Sequence, residues 1–193
     1  MVMGWISGGS SRNRKRAALA DREPVIPTGR ERPFDVDEVI VSKTDIKGRI
    51  TYVNDVFVRV SGYETAELLG QPHSLIRHPD MPRCIFKLLW ETIQARGEIF
   101  AYVVNLSKNG DHYWVFAHVT PSFDDAGNII GYHSARRKPS PVQIGKIAPI
   151  YRTLREQEQR TSDRKFGMTD SYQKLSALLR SEGMEYDEFV FSI

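Results

Sequence analysis

The sequence predicts an α+β fold, in which a five-stranded antiparallel sheet has its helices gathered on one face. Three observations indicate it. Two short strands open the folded part of the chain, a long amphipathic helix lies near its middle, and three strands separated by tight turns follow. Strands grouped on either side of a helical block, rather than in strict alternation with helices, are typical of antiparallel sheets.

The positive charge of this 193-residue chain is concentrated at its amino terminus. Residues 1–32 contain seven Lys or Arg and three Asp or Glu, whereas residues 33–193 contain twenty and twenty-one. The folded part is therefore nearly neutral, which argues against a nucleic-acid-binding protein. The predicted units are a flexible basic tail at 1–33, a folded domain at 34–140 and a helical extension at 141–193.

Several classes of protein and site are excluded by composition. The chain has no run of about eighteen apolar residues and no apolar block of signal-peptide length, so we expect a cytoplasmic protein without a membrane span. Cys84 is the single cysteine and is expected to be a buried, unreactive thiol. No histidine pair has metal-binding spacing and no catalytic triad pattern occurs, so we predict neither a metal centre nor catalytic residues.

The first half of the domain is expected to form a hairpin followed by short helices. The turn residues Asp45 to Gly48 separate two apolar segments, which is typical of a hairpin. Asn54 can cap the helix that follows, and Gly62 can end it. The predicted elements are strands at 39–41 and 49–53, a helix between Asn54 and Gly62, and a second short helix at 65–69.

A polar segment framed by prolines, residues 77–82, precedes the long helix predicted from Cys84 to Ala95. Proline disfavours helix at the residue before it and suits the first turn of a helix, so the segment is stiff and ends where the helix begins. Helix starts bind anions through free N–H groups. Arg77, His78 and Asp80 are therefore candidates to bind an anionic group, and a plain surface turn with an Asp–Arg pair is the alternative.

The last three strands, predicted at 99–107, 112–123 and 129–137, have no polar face. On the first of them Ala101, Val103 and Asn105 alternate with larger apolar side chains. A sheet that is apolar on both faces needs cover on both. One face takes the helices, alone or together with a ligand, and the other needs a terminal segment of the chain, a second copy or a partner protein.

The carboxyl-terminal extension contains two amphipathic helical patterns and a short apolar end. The charged run at 155–160 is expected to be solvent-exposed. These helices either pack on the sheet or mediate docking on a partner or dimerisation, and the pattern alone does not choose between these.

Four groups of residues give the chain a family resemblance over about residues 37–139. Arg49 to Tyr63 resembles the opening of a PAS domain. Together with Gly70-Gln71-Pro72-His73, the Arg-His-Pro-Asp-Met-Pro block at 77–82 and Lys-Asn-Gly-Asp-His-Tyr-Trp at 108–114, it resembles the PAS domain of bacterial aerotaxis receptors. The resemblance implies the PAS fold, and a sensor rather than an enzyme.

The resemblance also implies non-covalently bound FAD, whose redox state is read as a proxy for respiration. Arg77 could meet the diphosphate with charge-assisted hydrogen bonds, and Asn105 offers both a donor and an acceptor to the polar edge of the isoalloxazine ring. Trp90 would lie beside that ring. The predicted cofactor-binding residues are Arg77, His78, Asp80, Trp90, Asn105, Asn54 and Phe57.

Two alternatives to a flavin sensor stay open. Some PAS domains bind haem through a histidine, so a gas sensor with haem b on His73 or His78 is one, and a cofactor-free adaptor for dimerisation or assembly is the other. Otherwise His73, His118 and His133 are expected to be structural.

The resemblance also implies a partner. Aerotaxis receptors continue into membrane-anchoring and signalling helices, and we expect this chain to be a stand-alone PAS protein. Its partner would be a membrane chemotaxis transducer or another signalling protein, which could recruit it to the inner membrane face. We further expect a homodimer that binds no nucleic acid.

Overall fold

The computed structural model describes residues 24–193, so residues 1–23 of the predicted flexible basic tail lie outside the described residues. A five-stranded antiparallel sheet forms its centre, in the order β2-β1-β5-β4-β3. This confirms the predicted fold class. The strands are β1 (Ile40–Asp45), β2 (Ile50–Val53), β3 (Ile99–Leu106), β4 (His112–Phe123) and β5 (Ile129–Arg137).

The helices fall into a group between β2 and β3 and a carboxyl-terminal group. In residues 24–193, none of them is both long and apolar enough to cross a bilayer. The first group comprises α1 (Asp55–Ser61), α2 (Thr65–Leu68), a 3₁₀ helix (His73–Ile76) and α3 (Arg83–Gln94). The second comprises α4 (Pro141–Gln159), α5 (Arg164–Glu182) and α6 (Tyr186–Ser192).

Asn54 joins α1 to the sheet. Its Oδ1 accepts hydrogen bonds from the N–H groups of Phe57 (3.1 Å) and Val41 (3.0 Å), and its Nδ2 donates to the carbonyl of Val39 (2.8 Å). The predicted cap is confirmed, and Gly62 ends the helix in the left-handed region at φ +72°. Each polar atom of the Asn54 side chain therefore already has a partner within the fold.

The outer face of the sheet, which bears Phe100, Tyr102 and Phe116, is covered by the carboxyl-terminal helices. The Tyr151 hydroxyl on α4 donates to the carbonyl of Tyr102 (2.7 Å). Phe191 on α6 packs against Phe100 and Phe116, with ring centroids 4.8 and 5.8 Å away. Of the occupants considered for this face, the structure shows the chain's own carboxyl-terminal segment.

A buried carboxylate, Glu158, joins α4 to the start of α3. Its Oε1 accepts from the backbone N–H of Cys84 (3.0 Å), and its Oε2 accepts from Arg83 Nε (2.9 Å) and lies 3.4 Å from Arg155 Nη1. The expectation that the charged run at 155–160 is solvent-exposed is wrong at Glu158, which is 2% exposed. The run faces water only on one side of α4, because its other side packs on α3.

Cys84 is buried as predicted. Burial raises the pKa of its thiol to about 11, and the Ser171 hydroxyl lies 3.1 Å from the sulfur. The thiolate is therefore disfavoured, and the residue acts as packing between α3 and α5.

Contacts between the amino-terminal segment and the sheet begin before the predicted domain boundary at residue 34. The N–H of Thr28 donates to the carbonyl of Gly110, and the N–H of Arg32 donates to that of His112. The Thr28 hydroxyl also donates to Asp111, 2.6 Å away. The segment therefore runs beside the β3–β4 turn.

Candidate functional site

A cavity of about 350 Å³ lies between the inner face of the sheet and α3. Its volume is at the lower end of the range for small-molecule pockets. The sheet contributes small and polar side chains, among them Ala117 and Val103, while α3 contributes large apolar ones such as Trp90 and Leu89. A flat ligand therefore has room above the sheet and an aromatic wall on the other side.

Trp90 is held at the edge of this cavity by two neighbours. Its ring meets that of Tyr132 edge to face, with centroids 5.4 Å apart. Gly48, at φ +72°, passes so close that a Cβ built there would lie 3.0 Å from two carbons of the indole. The hairpin turn therefore needs glycine both for its left-handed conformation and for space beside Trp90.

Arg77 and Asn105 line the cavity next to each other, since their backbones form an isolated bridge. The Arg77 guanidinium lies over the ring of Phe86, 3.7 Å from its centroid, and its Nε has no hydrogen-bond partner in the part of the chain that the structure describes. Asn105 is buried, and its Nδ2 also lacks a partner. Both predicted residues thus bring unpaired donors to the site.

The other predicted residues do not line this cavity. His78 is buried and its Nδ1 accepts from the N–H of Asp80 (3.1 Å), while the Asp80 side chain is exposed. Asn54 caps α1. Phe57 lies behind the wall, with its ring edge to face with His73 at 5.9 Å. The structure therefore brings together Arg77, Trp90 and Asn105, and a cofactor-binding role for the remaining four stays a prediction.

Arg136 is the cavity residue that sequence reasoning missed. It is 5% exposed; its Nη2 donates to His73 Nε2 (2.8 Å) and Ser42 Oγ (3.0 Å), while its Nη1 has no partner. Burial lowers its pKa to about 10. No carboxylate of residues 24–193 forms an ion pair with it, so its charge is available to an electron-rich ligand.

The signal that could have revealed Arg136 is strand alternation. It follows Ser134 and Tyr132 on the inward face of β5, and all three line the cavity. The adjacent Arg137 and Lys138 make the segment look like an ordinary charged strand end, which masks the inward position.

His73, expected to be structural, forms part of the cavity wall. Burial, followed by the positive charge of Arg136, lowers the pKa of its imidazole to about 3. Because Nε2 accepts from Arg136, the proton of the neutral ring resides on Nδ1. A proton on Nε2 would face the guanidinium, so the ring stays neutral near pH 7.

We expect His73 to make the fold sensitive to acid. In the unfolded chain the imidazole binds a proton below about pH 6.5, whereas in the folded chain it does so only below about pH 3. The free energy of unfolding therefore falls as the pH is lowered between these two values. When the pH is lowered from 7 to 5, the free energy of unfolding should fall by about 2 kcal/mol more in the wild type than in His73→Asn. Urea unfolding at both values measures this, and equal losses would contradict it.

Four buried polar atoms that have no hydrogen-bond partner within residues 24–193 belong to residues of this cavity: Arg77 Nε, Asn105 Nδ2, Ser134 Oγ and Arg136 Nη1. Buried polar groups are normally hydrogen-bonded, so a concentration of unpaired ones around one cavity indicates a bound polar ligand. Three of the four are donors only. The chemistry fits a flat heterocycle that presents acceptor atoms at its edge, as the isoalloxazine ring of FAD does.

Comparison with known proteins identifies the domain. Residues 50–136 match the family model described as PAS fold. The light-state structure of the blue-light photoreceptor Aureochrome1 LOV superposes with a TM-score of 0.50 at 21% identity, over 61% of this chain and 91% of that one, which supports the fold. The protein therefore contains a PAS domain.

Curated relatives narrow the type of PAS domain. The aerotaxis receptor of Escherichia coli K12 is 43% identical over 128 residues, 66% of this chain and 25% of the receptor. The nitrogen fixation regulatory protein of Klebsiella pneumoniae is 32% identical over 99 residues, 51% of this chain and 20% of that protein. The chain thus spans a quarter or less of the length of both, and over 128 residues it is similar to an aerotaxis receptor.

Proposed function

We propose that this protein is a cytoplasmic redox sensor that binds FAD non-covalently and signals by contact with a membrane chemotaxis transducer. The observation that carries the proposal is the cavity beside Trp90, whose lining residues include four with a buried polar atom that has no partner in residues 24–193. Bound FAD supplies a redox centre whose protonation and hydrogen-bonding needs differ between its oxidised and reduced forms.

The cavity residues have separate tasks in this proposal. Asn105 can turn its amide to offer either a donor or an acceptor, so it can follow a change at the ring edge. Arg136 provides a fixed positive charge that favours electron density nearby. Trp90 and Tyr132 close the side of the cavity and keep water from the ring.

Haem is the less favoured cofactor because of the state of the histidines. His73 lines the cavity, and its Nε2 is engaged by Arg136 and Ser42. His78 does not line the cavity, and its Nδ1 accepts from the N–H of Asp80. An axial ligand needs a free nitrogen lone pair aimed at the iron, and neither arrangement favours one.

Two short paths, one along the backbone and one through a hydrogen bond, lead from the cavity to the carboxyl-terminal helices. Arg136 is four residues before Ser140, which caps α4 with its side chain on the N–H of Gln143. Asn105 is three residues after Tyr102, whose carbonyl accepts from Tyr151 on α4. A rearrangement at either cavity residue would shift the position of α4 against the sheet. We propose that the redox state reaches a partner in this way.

Flavin content tests the proposal. We expect purified protein, alone or after reconstitution, to show flavin absorbance, and Arg77→Ala to reduce FAD affinity at least about tenfold through loss of a charge-assisted donor. The exposed Arg152 on α4 supplies the matched control, Arg152→Ala, which should bind as the wild type does.

Two results would contradict the flavin sensor, and a third would correct the list of its binding residues. A Soret band would select the haem alternative. Protein that takes up neither FAD nor haem would favour the cofactor-free adaptor. Equal FAD affinity in the wild type and Arg77→Ala would remove Arg77 from the site.

A further inference from the structure

A second pocket, of about 720 Å³, adjoins the cavity at Arg77, which lines both. His78, Pro79 and Met81 from the proline-framed segment form one of its sides. The opposite side comes from the carboxyl-terminal extension, with Arg155 on α4 among its residues. The segment predicted to retain the cofactor therefore faces the extension across a common space.

Four arginines and one carboxylate line this pocket, so it is strongly positive. Glu158 is already satisfied by the N–H of Cys84 and by Arg83 and Arg155. His78 adds no opposing charge, and burial lowers the pKa of its imidazole. The lining arginines are Arg77, Arg83, Arg155 and Arg164.

Two of these guanidinium groups, those of Arg77 and Arg164, donate no hydrogen bond to any residue that the structure describes. The Arg164 side chain forms no hydrogen bond or ion pair with residues 24–193, although its backbone carbonyl accepts from Arg83 Nη1 (2.7 Å). Arg77 stacks on Phe86 with an unpaired Nε. Burial and then the charges of Arg83 and Arg164 lower the pKa of Arg77, against the opposing effect of Glu158, so these groups lie close enough to repel.

We propose that this pocket binds the diphosphate and adenosine part of FAD, and that Arg164 of the carboxyl-terminal extension makes the protein selective for FAD over riboflavin. The inference rests on the proposed flavin function. The first cavity has the aromatic wall and amide that suit a ring, and the second has the unpaired guanidinium groups that suit a diphosphate. Residues 141–193 thus complete the cofactor site as well as covering the sheet.

The test compares FAD and riboflavin binding to the full chain by fluorescence titration. We expect Arg164→Ala to weaken FAD binding about tenfold, the effect of losing one charge-assisted hydrogen bond, and to leave riboflavin affinity unchanged. Arg160→Ala removes the same charge from an exposed neighbouring position and should change neither. The substitution at Arg164 keeps the backbone carbonyl that Arg83 needs, so circular dichroism should be unaltered.

A second measurement uses the wild type alone. Because charged contacts are screened by salt, FAD binding should weaken more than riboflavin binding as NaCl is raised. Wild type that binds both flavins equally, or Arg164→Ala that loses both in proportion, would overturn the second site while leaving the flavin sensor intact. Wild type that binds neither flavin would overturn both proposals.

Discussion

Glu158→Ala is expected to lower the free energy of unfolding by about 3–5 kcal/mol, the cost of breaking a buried ion pair by removing one partner. The carboxylate has no exposed side-chain surface, and its loss leaves the N–H of Cys84 and Nε of Arg83 without their acceptor. Urea unfolding followed by circular dichroism measures the change.

Glu156 offers the matched control, because it lies on the exposed side of the same helix. Glu156→Ala should change the free energy of unfolding by no more than about 0.5 kcal/mol. A similar small loss in Glu158→Ala would mean that α4 and α5 contribute little to holding α3, and that the extension is only loosely attached to the domain.

Filling the cavity should abolish flavin binding without unfolding the protein. Ala117 is buried on β4 and lines the cavity, so Ala117→Leu places a branched side chain in the space left for the ring. We expect an affinity loss of at least about a hundredfold, the effect of losing roughly 2.7 kcal/mol of binding energy. Because the added carbon atoms enter open space, the melting temperature should stay the same or rise.

Ala135→Leu provides the size-matched comparison for this experiment. Ala135 lies on β5 beside Arg136 but on the outer face, where it pairs with His118 and Val41. Flavin affinity should persist in that variant. If Ala117→Leu retained wild-type affinity, the flavin would have to bind elsewhere and the proposed site would be wrong.

Local rules of chain geometry predicted most of the fold. The Asn54 cap, the left-handed glycine at 62 and the turn before β4 are each decided by a few neighbouring residues, so the sequence contains the whole signal. The two apolar faces of the sheet were also predictable, because the alternation of side chains within β3 depends only on the sequence of that strand.

The candidate site was predictable only in part, because burial of a charge depends on distant segments. The charged run at 155–160 gave no sign that Glu158 would face inward, since its partners Arg83 and Cys84 are more than seventy residues away. The burial of Arg136 likewise depends on distant residues, since its Nη2 bonds to His73 and Ser42 in the folded chain. The assignment of Arg77, Trp90 and Asn105 came from family resemblance, and the cavity contains all three.

Because the buried charge of Arg136 has no counter-ion within residues 24–193, the lifetime of the protein should depend on the supply of cofactor. A guanidinium that is buried without a counter-ion lowers the stability of the domain when the cavity is empty. A ligand that accepts hydrogen bonds from this group stabilises the folded form by mass action. A cell poor in that occupant would therefore keep more of the chain open to proteases. The amount of sensor would then follow the amount of cofactor, and few empty molecules would persist to send a false signal.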